Sequence, residues 1–181
     1  NHVEISMLMS AYEDKQVEEI YEIAGKIKRE IYGERVVMFA PLYISNFCVN
    51  NCKYCGFRRD NKFPRKKLTQ DEIKEQAIQL ERLGHKRLAL EVGESPKETP
   101  IEYVLESIKT IYENSSIRRI NVNVAAASVE ELKQLHEIGI GTYILFQETY
   151  DVDAFKEMHP LSIKGNYNYH LNSFDRAFEA G

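Results

Sequence analysis

Cys48-Val49-Asn50-Asn51-Cys52-Lys53-Tyr54-Cys55 contains every cysteine of the chain. It follows an apolar run, Val36 to Ile44, and precedes Gly56. Three thiols gathered in one loop indicate a metal site, and their spacing separates the kinds of site. Structural zinc takes four protein ligands, usually as two distant pairs, and here the second pair is missing. A redox Cys-x-x-Cys would use Cys52 and Cys55 and leave Cys48 idle. A disulfide framework needs an even count and a secreted setting. A Cys3His zinc knuckle lacks a histidine at ligand spacing. What remains is an iron-sulfur cluster on three thiolates, with one iron left open to a non-protein ligand.

Outward from this loop the chain repeats one unit: a short apolar run, a loop, and an amphipathic helix. The runs are Val36 to Ile44, Arg87 to Val92, Ile117 to Val124 and Gly141 to Phe146. The first helix is predicted from Thr69, with Glu72 completing a capping box and Gly84 closing it. Its buried stripe is Ile73, Ala77, Leu80 and Leu83. A second is predicted with Thr99 as cap, Pro100 in the first turn and Glu102 at N3. A third runs from Ser128, with Glu131, to Gly139. After a loop from Gln147 to Gly165, the last spans about Asn166 to Ala180 on the stripe Tyr167, Leu171, Phe174 and Phe178. Residues 1–34 read as a helical extension, with the stripe Val17, Ile20, Tyr21, Ala24, Ile27 and Ile31 and a stop at Gly33.

Alternation of this kind predicts an α/β fold of parallel strands with right-handed crossovers. Residues 35–181 are read as the first four βα units of a TIM-type barrel, a half-barrel. Barrel chemistry sits on the loops leaving the C-terminal ends of the strands. The cysteines, Gly93-Glu94 and Gln147-Glu148-Thr149 all fall on such loops. Asn121 and Asn123 share a face of the third strand by its period of two. That face is either polar barrel interior or a patch under the crossover helices.

With 181 residues, 43% hydrophobic and 29% charged, the chain has the composition of one globular domain. A net charge of -4 argues against nucleic acid as a partner. The basic stretch Arg58-Arg59 to Arg65-Lys66-Lys67 is read as a solvated loop. No apolar run approaches a membrane span and no signal-peptide pattern is visible. Thiols kept free in one loop point to a reducing cytoplasm. The first residue is Asn1 rather than Met, so a native start upstream is expected.

The Cys-x3-Cys-x2-Cys spacing, with aromatic Tyr54 before the last cysteine, resembles the radical S-adenosylmethionine (SAM) enzymes. The resemblance implies a four-iron four-sulfur cluster on Cys48, Cys52 and Cys55. It also implies SAM on the open iron, cleaved by the cluster's electron to a 5'-deoxyadenosyl radical. Gly93-Glu94 is similar to the family's Gly-Gly-Glu motif, with Val92 in place of the first glycine, and implies that Glu94 binds the SAM amino group. Gln147, Glu148 and Thr149 stand where the family holds the SAM ribose; which of the three faces inward depends on register, and Glu148 is the residue expected to do so. Asn123 is counted among the cofactor-binding residues. His170 lies near the position of an arginine that meets the SAM carboxylate in relatives, a task a protonated imidazole could take over.

Longer strings are similar to one subgroup, the tyrosine lyases, which includes FeFe-hydrogenase maturases and the 2-iminoacetate synthases of thiazole synthesis. These are Pro41 to Asn46, Cys55 to Arg59, Gly84 to Glu91, Gly141 to Tyr150 and Met158-His159-Pro160, and Gly84 to Glu91 with His170 look closer to the maturases. The implied reaction starts with hydrogen abstraction from the amino group of L-tyrosine. Cleavage of the Cα-Cβ bond then gives dehydroglycine and p-cresol. The implied electron donor is a reduced ferredoxin or flavodoxin. In the maturases a second cluster, in a further domain, leads on to CO and cyanide; with no fourth cysteine these residues would hold no such cluster.

Two other readings remain: another radical SAM lyase or amino-acid mutase, and a metal-clipped module that binds a partner without catalysis. Four βα units do not close a barrel of about 250 residues. The native protein is therefore expected to continue past Gly181 or to pair as a homo-oligomer through its open sheet edges. Inner-face residues such as Phe39, Leu90, Val122 and Leu145 should then be under-buried. Replacing Cys48, Cys52 or Cys55 by Ala is expected to abolish this cluster's absorbance at about 400 nm. A variant that keeps its full iron content and still cleaves SAM would contradict the assignment.

Overall fold

The computed structural model describes residues 1–181. The chain divides into two compact units, Asn1–Val37 and Met38–Gly181.

The first unit holds α1 (His2–Met9) and α2 (Asp14–Tyr32). Asn1 and Glu4 form a capping box on α1, and Gly33, at φ +61°, ends α2 in a backbone region open to glycine. The apolar stripe of α2 is present, but neither helix buries a residue.

The second unit is one sheet of four parallel strands, β1 (Ala40–Ser45), β2 (Arg87–Val92), β3 (Arg119–Asn123) and β4 (Thr142–Ile144), in the order β1-β2-β3-β4. Each strand lies beside its sequence neighbour, so every crossover helix returns by one position. The crossovers are α3 (Gln70–Arg82), α4 (Ile101–Asn114) and α5 (Val129–Glu137). Thr69 with Glu72 and Ser128 with Glu131 form two of the three expected capping boxes, each stabilising by about 1 kcal/mol. On α4 the expected cap is replaced. Pro100 is the N-cap, and the Thr99 hydroxyl donates instead to the carbonyls of Gly93 and Ser95.

Register separates the two faces of the sheet. Ala40, Leu42, Leu88, Leu90, Ile120 and Val122 pair along and across the strands and join Ile73, Ala77, Val104, Ile108, Ile111 and Leu135 in the core under the helices. Leu90 and Val122 are therefore fully buried at 0%, not on the inner face as expected; one residue of register exchanges the faces. Phe39, which precedes β1, is 55% exposed, and Leu145 is half-buried. The opposite face carries Tyr43, Glu91 and Asn123 at one level, with Asn121 one step back. That decides the position of the two asparagines: they lie away from the helices, and Asn123 Nδ2 donates to Glu91 Oε2 at 2.7 Å.

Beyond β4 the expected long loop contains α6 (Val152–Met158), capped by Asp151. The expected last helix is two, α7 (Tyr167–Leu171) and α8 (Ser173–Ala180), broken at Asn172. Its inward side is His170, Ser173 and Ala180, and Phe178 is 87% exposed. The break at Asn172 rotates the stripe off the line drawn through Phe174 and Phe178.

The Tyr103 side chain of α4 reaches both ends of the segment that carries the cysteines: its buried hydroxyl is placed 3.0 Å from the Ile44 carbonyl and 2.8 Å from that of Leu68. Burial pushes its pKa up to about 12. Tyr103→Phe removes the hydroxyl donor from the buried Leu68 carbonyl, while the Ile44 carbonyl keeps the Leu68 N–H at 2.9 Å, and is expected to destabilise the unit by about 1–3 kcal/mol. Urea unfolding checks this, and an unchanged midpoint would contradict it.

Candidate active site

β1 ends in a bulge between Tyr43 and Ser45. A bulge re-aims the chain that follows it, and here it launches the cysteine loop across the end of β2. The Ser45 carbonyl accepts from Gly93 N–H at 3.1 Å and the Glu94 carbonyl from Val49 N–H at 2.8 Å. At this crossing a Cβ on Gly93 would stand 2.3 Å from the Phe47 carbonyl oxygen and 3.2 Å from Cys48 Cβ. Both backbone polar groups of Gly93 are engaged, the carbonyl by Thr99 Oγ1. Gly93 lines the site, and the passing loop itself requires a residue without a side chain there.

Cys48, Cys52 and Cys55 are free thiols, and all three line a cavity of about 270 Å³. Burial raises the pKa of Cys48 and of Cys52, and negative charge on the neighbouring thiols adds to it. No three His, Cys, Asp or Glu side chains converge as a single metal ion requires. Zinc, with Zn–S near 2.3 Å, would need the sulfurs gathered on one point. Three soft sulfur donors spread around a cavity fit a larger, thiolate-held iron-sulfur group.

The same cavity is lined by Tyr54, Glu94, Asn123, Glu148 and His170. The loops after β1, β2 and β4, the last residue of β3 and the helix α7 thus bring these residues to one place, at the C-terminal ends of the strands. Glu94 is half-buried. Burial raises its pKa, against the opposing effects of the Asn50 amide and the Lys164 charge.

Gln147 is the exception. Its side chain turns back to the Thr149 carbonyl at 3.2 Å and does not line the cavity. The reason is a three-residue turn. Thr149 N–H donates to the Gln147 carbonyl at 2.8 Å around Glu148, whose φ is +67°. This strained γ-turn geometry sends Glu148 inward, where Oε1 accepts from Lys164 Nζ at 2.9 Å. Burial works to raise the Glu148 pKa, but the Lys164 hydrogen bond and charge hold it below the usual range.

His170 is buried, and its Nε2 donates to the Phe146 carbonyl at 2.9 Å. Burial lowers its pKa, against the opposing effect of the Phe146 carbonyl. The cation on the cavity wall is Lys164. His159 is also buried. Its Nδ1 donates to the Phe155 carbonyl at 2.6 Å, which leaves Nε2 to accept from the Tyr54 hydroxyl at 2.7 Å.

Four residues with evident roles escaped the sequence reading. Asn50, 3% exposed, donates through Nδ2 to Glu94 Oε2 at 2.5 Å and accepts at Oδ1 from Lys164 N–H at 3.2 Å. Lys164 supplies the charge just described. Glu91 joins the cavity wall beside Asn123. Arg65, read as part of a solvated basic loop, is half-buried and directs its guanidinium at backbone carbonyls of the cysteine loop. Asn50 had a signal, its place between the first two cysteines; the others are joined only by the fold.

The family model of the radical SAM superfamily matches residues 42–181. The 2-iminoacetate synthase of Salmonella typhimurium is 29% identical over 178 residues, 98% of this chain and 47% of that protein. A solved structure of HydG, a maturase of the FeFe-hydrogenase, superposes with a TM-score of 0.92 at 52% identity, covering 96% of this chain and 39% of that one. HydG from Carboxydothermus hydrogenoformans gives a TM-score of 0.90 at 40% identity, over 96% and 41%. The chain spans about half the length of the curated relatives it matches.

Gly93→Ala must push the cysteine loop off β2, because the clash is with backbone rather than with a flexible side chain. The expected result is a stability loss of about 1–3 kcal/mol with faster amide exchange at Val49. Wild-type stability and protection would contradict the close crossing.

Proposed function

Because the chain belongs to the radical SAM superfamily, we propose that Cys48, Cys52 and Cys55 hold a four-iron four-sulfur cluster whose open iron takes SAM. When bound, this pair supplies the 5'-deoxyadenosyl radical. The observation that carries the reading is the meeting of the three thiols with Glu94 and Glu148 around one cavity at the strand ends. In the proposal Glu94 accepts from the methionine ammonium of SAM, and Asn50 keeps that carboxylate aimed by occupying its Oε2. Glu148 accepts from the ribose hydroxyls, with Lys164 balancing its charge. Asn123 and Glu91 present polar groups on the open face of the sheet, and His159 fixes Tyr54 beside the cysteines.

The substrate we propose is L-tyrosine, cleaved between Cα and Cβ to p-cresol and dehydroglycine on the way to the CO and cyanide of FeFe-hydrogenase maturation. The likeness to two HydG maturases, at 52% and 40% identity, supports this over other members of the superfamily. A methylornithine synthase, by comparison, is 25% identical. A reduced ferredoxin or flavodoxin in a reducing cytoplasm would supply the electron; no helix is long and apolar enough to cross a membrane.

Anaerobic incubation of the whole protein with SAM, dithionite and tyrosine tests the substrate: p-cresol is expected, and SAM cleavage without p-cresol would point to another superfamily reaction. Glu94→Gln is expected to retain the cluster and to weaken SAM binding by about 1.5–3 kcal/mol, the range for a hydrogen bond to a charged group. Calorimetry giving equal affinity in wild type and variant would remove Glu94 from the cofactor site.

A further inference from the structure

The cysteine loop has little regular structure, yet its thiols must stand at fixed places. Loops of this kind leave carbonyls without strand or helix partners. Arg65 meets that need. Its Nη1 donates to the carbonyls of Asn46 at 2.6 Å and Phe57 at 2.8 Å, and its Nη2 to those of Arg58 at 2.6 Å and Asn61 at 3.3 Å. These acceptors lie on both sides of the cysteines, so one side chain closes the loop at its base. The Phe63 ring packs against the guanidinium, 4.3 Å from its carbon to the ring centroid. Asn46 reinforces the closure by exchanging hydrogen bonds with Lys66 N–H and the Pro64 carbonyl.

One acceptor ties the clamp to a thiol. The residue whose carbonyl Arg65 holds, Phe57, also directs its N–H at Cys55 Sγ, at 3.4 Å. Hydrogen bonds to ligand sulfurs are among the factors that set cluster potentials. A planar fork with several fixed donors can serve four carbonyls at once, and the ammonium of a lysine cannot reproduce that geometry.

We infer that Arg65 is a positioning residue for the cluster: it holds the cysteine loop in its cluster-receiving form before a cluster is bound, and it fixes the Phe57 N–H that stabilises charge on Cys55. The cofactor part of this rests on the reading of the thiols as cluster ligands; the loop-holding part does not. Arg65 lies outside the core under the helices, so its loss is confined to the loop.

The test uses Arg65→Ala and Arg65→Lys in the whole protein. In the cluster-free form, hydrogen exchange of the Val49, Lys53, Cys55 and Arg59 amides is compared with amides of β2, β3 and α4. Both variants are expected to exchange the loop amides about tenfold faster or more while the core amides keep their protection. After reconstitution both should take up less iron, and the cluster they retain should have a more negative reduction potential. Wild-type loop protection together with an unshifted potential in both variants would overturn the proposal. If Arg65→Ala loses core protection as well, Arg65→Lys decides: an unprotected loop supports the clamp and a protected one overturns it. A wild-type protein that takes up no cluster would overturn the cofactor reading, whereas the exchange comparison still judges the clamp.

Discussion

The site depends on one buried amide. Asn50 sits between the first two cysteines, is almost inaccessible to water, and must satisfy both ends of its side chain inside the protein. It does so by donating to Glu94 beyond β2 and accepting from the backbone of Lys164 in the chain beyond β4. Its own carbonyl accepts from Arg59 N–H at 2.7 Å. Three loops far apart in sequence thereby become one wall. The cost of leaving a buried amide or carboxylate unpaired is what makes this junction specific. Lys53 N–H to the Met158 carbonyl and Asn51 N–H to Ser162 Oγ repeat the link between the cysteine loop and the end of α6 with the residues that follow it.

Two opposed faces explain why chemistry gathers where it does. The helices cover only the apolar face of the sheet, and the other face carries Tyr43, Glu91, Asn121 and Asn123. Parallel strands put all their exits at one edge, so each loop can contribute to the same cavity. Burial raises the pKa of Glu94 and of Glu91, whereas Lys164 lowers that of Glu148 on the same cavity wall. The strained turn at Glu148 is accompanied by the ion pair of its carboxylate with Lys164.

Much of this was legible because the signals are local. Thr69 with Glu72 and Ser128 with Glu131 announce helix starts through hydrogen bonds closed within four residues. The bounds of β2 follow from an apolar run between two breakers. The cysteines, Glu94 and Glu148 could be placed because strand exits follow from strand ends. What the sequence hid is non-local. Register decided that Leu90 and Val122 face the helices, and no single strand carries its own register. Arg65 looked like one more exposed cation, since its four acceptors are carbonyls that carry no side-chain signal. The last helix read as continuous until the break at Asn172 turned His170 and Ser173 inward instead of Phe178.

The central claim is that the three thiols hold a cluster with one iron open to SAM. Electron paramagnetic resonance of the anaerobically reduced whole protein, recorded with and without SAM, tests it most directly. Comparison with the Cys48→Ala variant isolates the signal of this cluster. The account predicts a signal that Cys48→Ala lacks and whose g-values shift when SAM occupies the open iron. A signal indifferent to SAM, or one that survives the loss of Cys48, would contradict it.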